Sequence, residues 1–269
     1  LTPFWNSDRQ TKLGKNFSIN DNNTYTLNTG DLGLCSPSCP SGENAAHAIL
    51  EITDTGEYSI GKNVTFVVNA TGERALSFDP IENTKSLNYS KFTNNGKIIL
   101  NATNTAGMEL TTQGNGINVT GINNGTINGE LDRQSAFTFT QEQNPTGTYT
   151  AINETGGTIS LTGNTSTGFG FYVKSPGWVV KAINKGNVTM AGNTSYGIGL
   201  STKATLPGGG TANNNVAAGS VFQNASGGIM NISGDNSGGI AVQKQADPSR
   251  ALTVENSGGG TINVSGENS

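Results

Sequence analysis

The composition of the chain, 269 residues with a formal net charge of -4, is typical of a folded protein with many tight turns. Glycine supplies 38 residues and asparagine 35, and both tolerate the left-handed backbone that turns require. A pI near 5.0 disfavours binding of nucleic acid, which needs a basic surface, and no apolar run is long enough to span a bilayer as a helix.

Residues 1–50 lack the pattern of the remaining sequence and predict an N-terminal cap. The segment contains both cysteines, Cys35 and Cys39, and the single histidine, His47. The intervening Pro37 favours a turn that brings the two sulfurs together, which predicts a local disulfide in an oxidising compartment. A metal half-site is the alternative, but it needs further soft ligands. We expect neither a metal nor a cofactor.

Residues 51–269 repeat one motif at intervals of about thirty residues, which predicts a solenoid. Each copy begins with an asparagine before a glycine-rich turn. The asparagine anchors are Asn94, Asn123, Asn153, Asn184, Asn224 and Asn256. A strand follows each anchor, a second strand follows a Gly/Asn/Ser turn, and a weaker third strand precedes the anchor. Apolar and polar residues alternate in these strands, the pattern of a half-buried β-strand.

Equivalent strands place apolar residues at equivalent positions in every copy. One such column contains Ile98, Ile127, Ile159, Val188, Met230 and Ile262. A β-sandwich does not require this identity, whereas stacked coils do, because one coil cannot bury its apolar face alone. The sequence therefore predicts an all-β, right-handed parallel β-helix in which the asparagine anchors also stack. The last repeat stops after one strand, so we expect a fragment truncated at its C-terminus.

Three segments interrupt the repeat and predict loop insertions. They are residues 129–150, 172–180 and 201–215. Insertions into solenoids collect on one face, which is often where partners bind. Loop exposure therefore makes Trp178, Tyr172 and Lys174 candidate ligand-binding residues, because aromatic rings and a cation suit sugars and proteins. Packing of Trp178 against the coils is the alternative, since two valines follow it.

The sequence contains few residues that could support catalysis. A Ser-His-Asp triad would depend on His47 alone. Glu130, Asp132 and Arg133 lie together in GELDRQ and could support acid–base chemistry. Charged residues at a corner after a strand are usually solvated, and we expect no carboxylates at the matching position of other repeats. Asp132 and Arg133 are therefore included among the exposed candidates for ligand binding, and no catalytic residue is assigned.

The repeats NKGNVTMAGNTSYGIGL, NASGGIMNISGDNSGGIAV and NSGGGTINVSGENS resemble the passenger repeats of large monomeric (type Va) autotransporter adhesins, especially those of fusobacteria. The resemblance covers about residues 94–269. It implies a secreted virulence factor whose β-helical rod is displayed outside the cell and anchored in the outer membrane by a C-terminal barrel absent from this sequence. Within this group, the resemblance favours the coaggregation adhesins that free arginine inhibits.

The resemblance implies adhesion to surface proteins or glycans of other bacteria or of host cells, without catalysis and without nucleic acid. Two alternatives stay open. Parallel β-helices also include polysaccharide lyases and glycosidases, which need converging carboxylates. A structural spacer, with its binding site elsewhere in a longer chain, needs only undecorated coils.

Overall fold

A computed structural model shows that the chain is all-β and that its short parallel strands stack into a solenoid. The structure describes residues 16, 18–29, 31, 48–78, 87–110, 117–141, 146–173, 177–200, 216–242 and 252–269. Each coil contributes one strand to each of three sheets, named here A, B and C, except that the last described coil contributes only to sheets A and B. The predicted parallel β-helix is confirmed.

The three sheets collect every third strand in chain order. Sheet A contains β1 (Ser18–Ile19), β4 (Glu57–Ile60), β7 (Asn88–Asn94), β10 (Ile117–Asn123), β13 (Gly147–Asn153), β16 (Trp178–Asn184), β19 (Ser220–Asn224) and β22 (Leu252–Asn256). Sheet B contains β2 (Thr24–Leu27), β5 (Thr65–Val68), β8 (Lys97–Leu100), β11 (Thr126–Gly129), β14 (Thr158–Leu161), β17 (Asn187–Met190), β20 (Ile229–Ile232) and β23 (Thr261–Val264). Sheet C contains β3 (Ala48–Ile52), β6 (Arg74–Phe78), β9 (Ala106–Leu110), β12 (Ser135–Gln141), β15 (Thr167–Val173), β18 (Tyr196–Leu200) and β21 (Gly238–Val242).

The interior is a set of vertical columns of apolar side chains. In sheet B, Ile127 pairs with Ile98 on one side and Ile159 on the other, and the column continues through Val188 and Met230. These five side chains are all fully buried. Because every strand alternates inward and outward residues, one buried residue per coil at each position fills the interior continuously.

Aromatic rings fill the widest part of the interior between sheets A and C. The rings of Phe137 and Phe169, on neighbouring coils, stack with centroids 4.9 Å apart and planes at 9°. Phe171 and Phe222 stack at 5.5 Å and 23°. The hydrogen-bonding distance between neighbouring strands brings the register partners Phe137 and Phe169 to stacking distance, whereas Phe171 and Phe222 meet across the interior from sheets C and A. Stacking stabilises both pairs beyond their burial.

The asparagine anchors form a buried ladder along the corner between sheets A and B. Asn123 donates through Nδ2 to Asn153 Oδ1 at 2.8 Å, and Asn153 donates in turn to Asn184 Oδ1 at 2.9 Å. The series continues from Asn94 at one end to Asn256 at the other. Each amide also donates to backbone carbonyls at the turn, so the ladder satisfies polar groups that the corner buries.

We expect Asn153→Ala to lower the free energy of unfolding by about 2 kcal/mol, since it leaves the buried amides of Asn123 and Asn184 short of partners. Urea denaturation followed by circular dichroism measures the change. Asn124 is the matched control, because its amide bonds to Asn95 on the exposed surface. Asn124→Ala should change stability by less than about 0.5 kcal/mol. Equal losses in both variants would contradict a specific role for the buried ladder.

The segment assigned to the N-terminal cap contributes strands to all three sheets. Strands β1, β2 and β3 pair in parallel with β4, β5 and β6, in register with the coils that follow. The described residues among 18–52 therefore belong to the solenoid itself. The predicted disulfide between Cys35 and Cys39 lies outside the described residues, so it stays a prediction.

Candidate functional site

Two of the three corners have nearly constant geometry. From the second coil onward, the connection from sheet B to sheet C is always five residues long. These connections are residues 69–73, 101–105, 130–134, 162–166, 191–195 and 233–237. The connections from sheet A to sheet B, from β4 onward, contain two or four residues. Both corners repeat because each turn bonds to the turn of the next coil.

The third corner, from sheet C to sheet A, varies in length from coil to coil. Its connections are residues 53–56, 79–87, 111–116, 142–146, 174–177, 201–219 and 243–251. They range from four to nineteen residues, and all begin and end along one side of the rod. Apart from residues 28–47 in the first coil, the other two corners vary by at most two residues, so we call this third corner the variable corner.

The predicted insertions are shorter than the sequence suggests. Within 129–150, residues 135–141 and 147–150 belong to β12 and β13. Within 172–180, β15 extends to Val173 and β16 begins at Trp178. The connections that remain are residues 130–134 and 142–146 in the first segment and residues 174–177 in the second. The third insertion, 201–215, lies outside the described residues, between β18 and β19.

Trp178, predicted to be exposed on a loop, is fully buried in the core. Its ring lies 4.9 Å from that of Phe139. It pairs in register with Gly147, where an added Cβ would come within 2.6 Å of the indole. The glycine leaves the space that the ring fills. The predicted exposure of Trp178 is therefore wrong, and the alternative of packing against the coils is confirmed.

The other predicted ligand contacts do not converge. Tyr172 lies on β15 and is only 6% exposed, so it too is not on an exposed loop. Lys174 lies outside the described residues. Asp132 and Arg133 are exposed, but they belong to the corner between sheets B and C, whereas Trp178 begins a strand at the variable corner. The structure therefore assembles no joint site from the four of these five residues that it describes.

Asp132 and Arg133 have structural roles in a stacked turn. Asp132 Oδ1 accepts a hydrogen bond from the backbone N–H of Asn164 at 2.9 Å, and the next coils repeat this contact. Arg133 has a left-handed backbone, φ 58°. Asp235 and Glu267 occupy the position of Asp132 in later coils. The expectation that no other repeat carries a carboxylate there is wrong, because the position selects any side chain that can accept this bond.

A charged cluster that sequence inspection did not identify lies on sheet C. Glu51 and Glu109 occupy one outward row, each in register with the intervening Ser77. Arg74 forms an ion pair with Glu109, with Nη2 to Oε1 at 2.6 Å. Glu51 is fully buried and Glu73 is 9% exposed. These carboxylates lie on separate coils. Because the cluster occurs once and does not recur in other coils, comparison of the repeats does not reveal it.

A polar groove of about 370 Å³ runs across the outer face of sheet A near the first coils. We call it the sheet-A groove. Its lining residues are Asn16, Ser18, Glu57, Tyr58, Ser59, Lys91, Thr93 and Asn95. Strands β4 and β7 place Glu57 beside Lys91 and Ser59 beside Thr93 in register. The groove therefore has a floor of regular sheet, from which alternate side chains project outward.

The polar groups of the sheet-A groove differ in how firmly they are held. The hydroxyls of Ser18 and Ser59 are 2.6 Å apart, and Asn16 Oδ1 accepts from the Glu57 N–H at 2.8 Å. Lys91 Nζ lies 3.6 Å from Glu57 Oε1, and both side chains are substantially exposed. An exposed pair of this kind is weak. Its charges therefore stay available to a bound molecule.

The hydroxyl of Tyr58 stays protonated over the physiological pH range. Burial, reinforced by the charge of Asp54, raises the pKa of Tyr58 to about 12. The hydroxyl donates to the Asp54 carbonyl oxygen at 3.0 Å, which fixes the connection 53–56 against the end of β4. This corner of the groove is consequently rigid.

One aromatic side chain on the same strand as Lys91 is unusually exposed. Tyr89 is 79% exposed and has a left-handed backbone, φ 60°. It is the extra residue in a register irregularity, because Asn118 pairs with Asn88 while the next residue pairs with Ser90. A bulky residue in this conformation costs about 1–2 kcal/mol, and at this exposure little burial offsets that cost.

Contacts within the corner hold Tyr89 in place. Ser90 Oγ donates to the Asp54 carbonyl oxygen at 3.3 Å, and the Lys91 N–H donates to the Gly56 carbonyl oxygen at 2.9 Å. The other non-glycine residues with positive φ in the described part of the chain are asparagine, threonine or arginine. Bulky tyrosine is an outlier in a left-handed position. Tyr89 also lies outside the corner between sheets B and C, where this conformation recurs, so its presence calls for a surface role.

The chain has no match among protein-family models, curated proteins or solved structures. No group of three or more His, Cys, Asp or Glu residues in the described ranges is arranged to hold a metal ion. The described part also contains no helix of the length and apolar character that crosses a membrane. The variable corner and the sheet-A groove are therefore the features of the described part from which a function can be inferred.

Proposed function

We propose that the chain is part of a bacterial surface adhesin, a non-catalytic β-helical rod that attaches the cell to other bacteria or to host cells. It would be displayed outside the cell as a passenger anchored to the outer membrane. The variable corner carries this proposal. Two corners of nearly constant length maintain the rod, while the third varies from four to nineteen residues, which is typical of a scaffold that presents binding segments.

The variable corner also favours an adhesin over a spacer. A spacer gains nothing from connections as different as 174–177 and 201–219, since both close the same kind of coil. Long connections cost little stability on a rigid scaffold, so they persist where they bind something. Attachment through several of them along one side would also increase avidity without requiring a deep pocket.

The enzymatic alternative needs two carboxylates that face a common substrate. The carboxylates of sheet C do not meet this requirement, because Glu51 is buried and Glu109 is ion-paired with Arg74. We therefore expect no product when the chain is incubated with a panel of polysaccharides and the supernatant is analysed by chromatography. Accumulation of unsaturated or reducing oligosaccharides would instead indicate a lyase or a glycosidase.

The adhesin proposal is tested by attachment of the fluorescently tagged chain to panels of bacterial strains and epithelial cells. We expect saturable binding to a subset, and the resemblance to coaggregation adhesins makes free arginine and galactose the first competitors to test. Shortening the connection 201–219 to the length of 174–177 should weaken attachment about tenfold if it carries a main contact. No saturable binding to any cell by the intact chain would overturn the proposal.

The matched control for that deletion is Arg133→Asn at the corner between sheets B and C. Asparagine already occupies the equivalent left-handed position at Asn104 and Asn236, so the substitution keeps the fold. We expect attachment within about twofold of the unmodified chain, because this corner is not variable. Equal losses in the deletion and in the control would contradict assignment of binding to the variable corner.

A further inference from the structure

Tyr89 and the sheet-A groove share strand β7, a surface to which none of the predicted candidate residues belongs. From Tyr89 at the variable corner to Asn95 at the next corner, strand β7 covers roughly 20 Å at about 3.3 Å per residue. Lys91 and Thr93 of this strand line the groove, with Glu57 and Ser59 beside them. The surface is therefore an elongated polar track with an aromatic ring at one end.

We propose that the sheet-A groove binds a neutral oligosaccharide, with Tyr89 as a stacking platform at one end. The hydroxyls of Ser18, Ser59 and Thr93, together with the Asn95 amide, suit a ligand whose own hydroxyls both donate and accept hydrogen bonds. Lys91 and Glu57 add one charge of each sign, which serves a neutral polyol better than an ion. This inference names a ligand class for the proposed adhesin and rests on that function.

The ring of Tyr89 supplies an apolar face, which the hydroxyl-rich floor of the groove lacks. Sugar rings present apolar C–H faces that pack on aromatic rings, and tyrosine offers such a face at low conformational entropy cost. Tyr89 keeps 79% of its surface exposed in a strained left-handed backbone. Asparagine or glycine would adopt that backbone with less strain. A contact with an external molecule accounts for tyrosine at this position.

Other ligand classes fit the groove less well. A polyanion would be repelled by Glu57, and Lys91 is the one cation among the described lining residues that would attract it, in a chain of net charge -4. A peptide strand cannot extend sheet A here, because β4 and β7 already pair with each other and with their outer neighbours. An apolar small molecule would need a more apolar lining, whereas Tyr58 is the only aromatic side chain among the described residues that line the groove.

The test uses the 269-residue chain and three neutral probes: maltotetraose, chitotetraose and lacto-N-tetraose. Saturation-transfer NMR detects binding, and calorimetry gives the Kd. We expect at least one probe to bind with a Kd of about 1 mM, as suits a shallow open site. No saturation transfer from any probe at about 5 mM would overturn the proposal.

Two substitutions assign the binding to this groove. Tyr89→Asn removes the ring and fits the left-handed backbone, so the protein should stay folded while the Kd rises about tenfold. Ser59→Val removes a hydroxyl from the floor and suits a strand, and we expect the Kd to rise about threefold. Tyr89→Phe should retain affinity within about twofold. If Tyr89→Asn binds the probe as tightly as the unmodified chain, the assignment is wrong.

Failure of this inference can be told apart from failure of the adhesin proposal. Cell attachment is measured with the same variants, including the shortened 201–219 connection. If Tyr89→Asn attaches normally and no oligosaccharide binds, the groove assignment fails and the adhesin proposal stands. If an oligosaccharide binds through Tyr89 but the intact chain attaches to no cell, the groove is a saccharide site and the adhesin proposal fails.

Discussion

Replacement of Trp178 by alanine should lower the free energy of unfolding by about 3–5 kcal/mol, the range for removing a large aromatic residue from a core. The side chain is fully buried, packs on Phe139 and fills the space left by Gly147. Three rings, those of Phe139, Tyr149 and Phe171, form contacts on this side of the interior. The cavity therefore cannot collapse without separating coils. Urea denaturation followed by circular dichroism measures the loss.

Leu131 is the matched control for Trp178, because it is a large apolar residue that is 41% exposed on a turn. Leu131→Ala should change stability by less than about 0.5 kcal/mol. The outcome also decides between the two roles considered for the tryptophan. If Trp178→Ala keeps its stability and instead abolishes attachment to cells, the residue contacts a ligand and the buried assignment is wrong.

The sequence indicates that Trp178 faces inward, because it lies an even number of positions from an inward residue on the same strand. Residues that face inward alternate along each strand, and the ladder residue Asn184 is an inward reference for β16. Trp178 lies six residues before Asn184, so the two face the same way. A loop assignment for residues 172–180 separates Trp178 from the strand that contains Asn184, so the alternation is not applied to it. By the same count, Tyr89 lies five residues before Asn94 and faces outward, as the structure shows.

The repeat allowed most of the fold to be predicted, because each column of apolar residues recurs five or six times in the sequence. Two glycines, Gly121 and Gly129, occupy positions that are apolar in most other coils, and neighbouring side chains explain why. A Cβ at Gly121 would lie 3.3 Å from Phe137, and one at Gly129 would lie 2.0 Å from the Gln134 amide oxygen. At Gly121 the ring of Phe137, and at Gly129 the side chain of Gln134, occupies the space that a side chain at the glycine would need.

The sheet-A groove could not be predicted from the repeat, because its residues occur once. Asn16 and Ser18 belong to a segment that lacks the repeat signature, yet they line the same groove as Lys91, which is more than seventy positions away in the sequence. Such a site forms only when the register between coils is known. The repeat therefore predicts the stacked strands, whereas the residues that line the groove do not recur from coil to coil and give no such signal.

The tight spacing between coils gives the second large expected effect, Gly192→Ala. A Cβ at Gly192 would lie 1.9 Å from the Gly163 carbonyl oxygen of the preceding coil, and Gly234 approaches Gly192 in the same way on the next coil. These neighbours are backbone atoms held by the sheets on both sides. The added methyl group can be accommodated only by separating coils, so we expect a loss of at least about 3 kcal/mol, the upper end for overpacking.

Gly258 provides the matched control, because an added Cβ there has no atom within 4 Å and its φ is ordinary. Gly258→Ala should leave stability unchanged or raise it by about 0.5 kcal/mol, since alanine restricts the unfolded chain. Urea midpoints of the two variants, measured side by side, separate the cost of crowding from the general effect of replacing glycine. If Gly192→Ala unfolds at the midpoint of the unmodified chain, adjacent coils at this corner are less tightly stacked than the sheet spacing requires. The columns of buried side chains would then have to maintain the register of the solenoid without help from the turns.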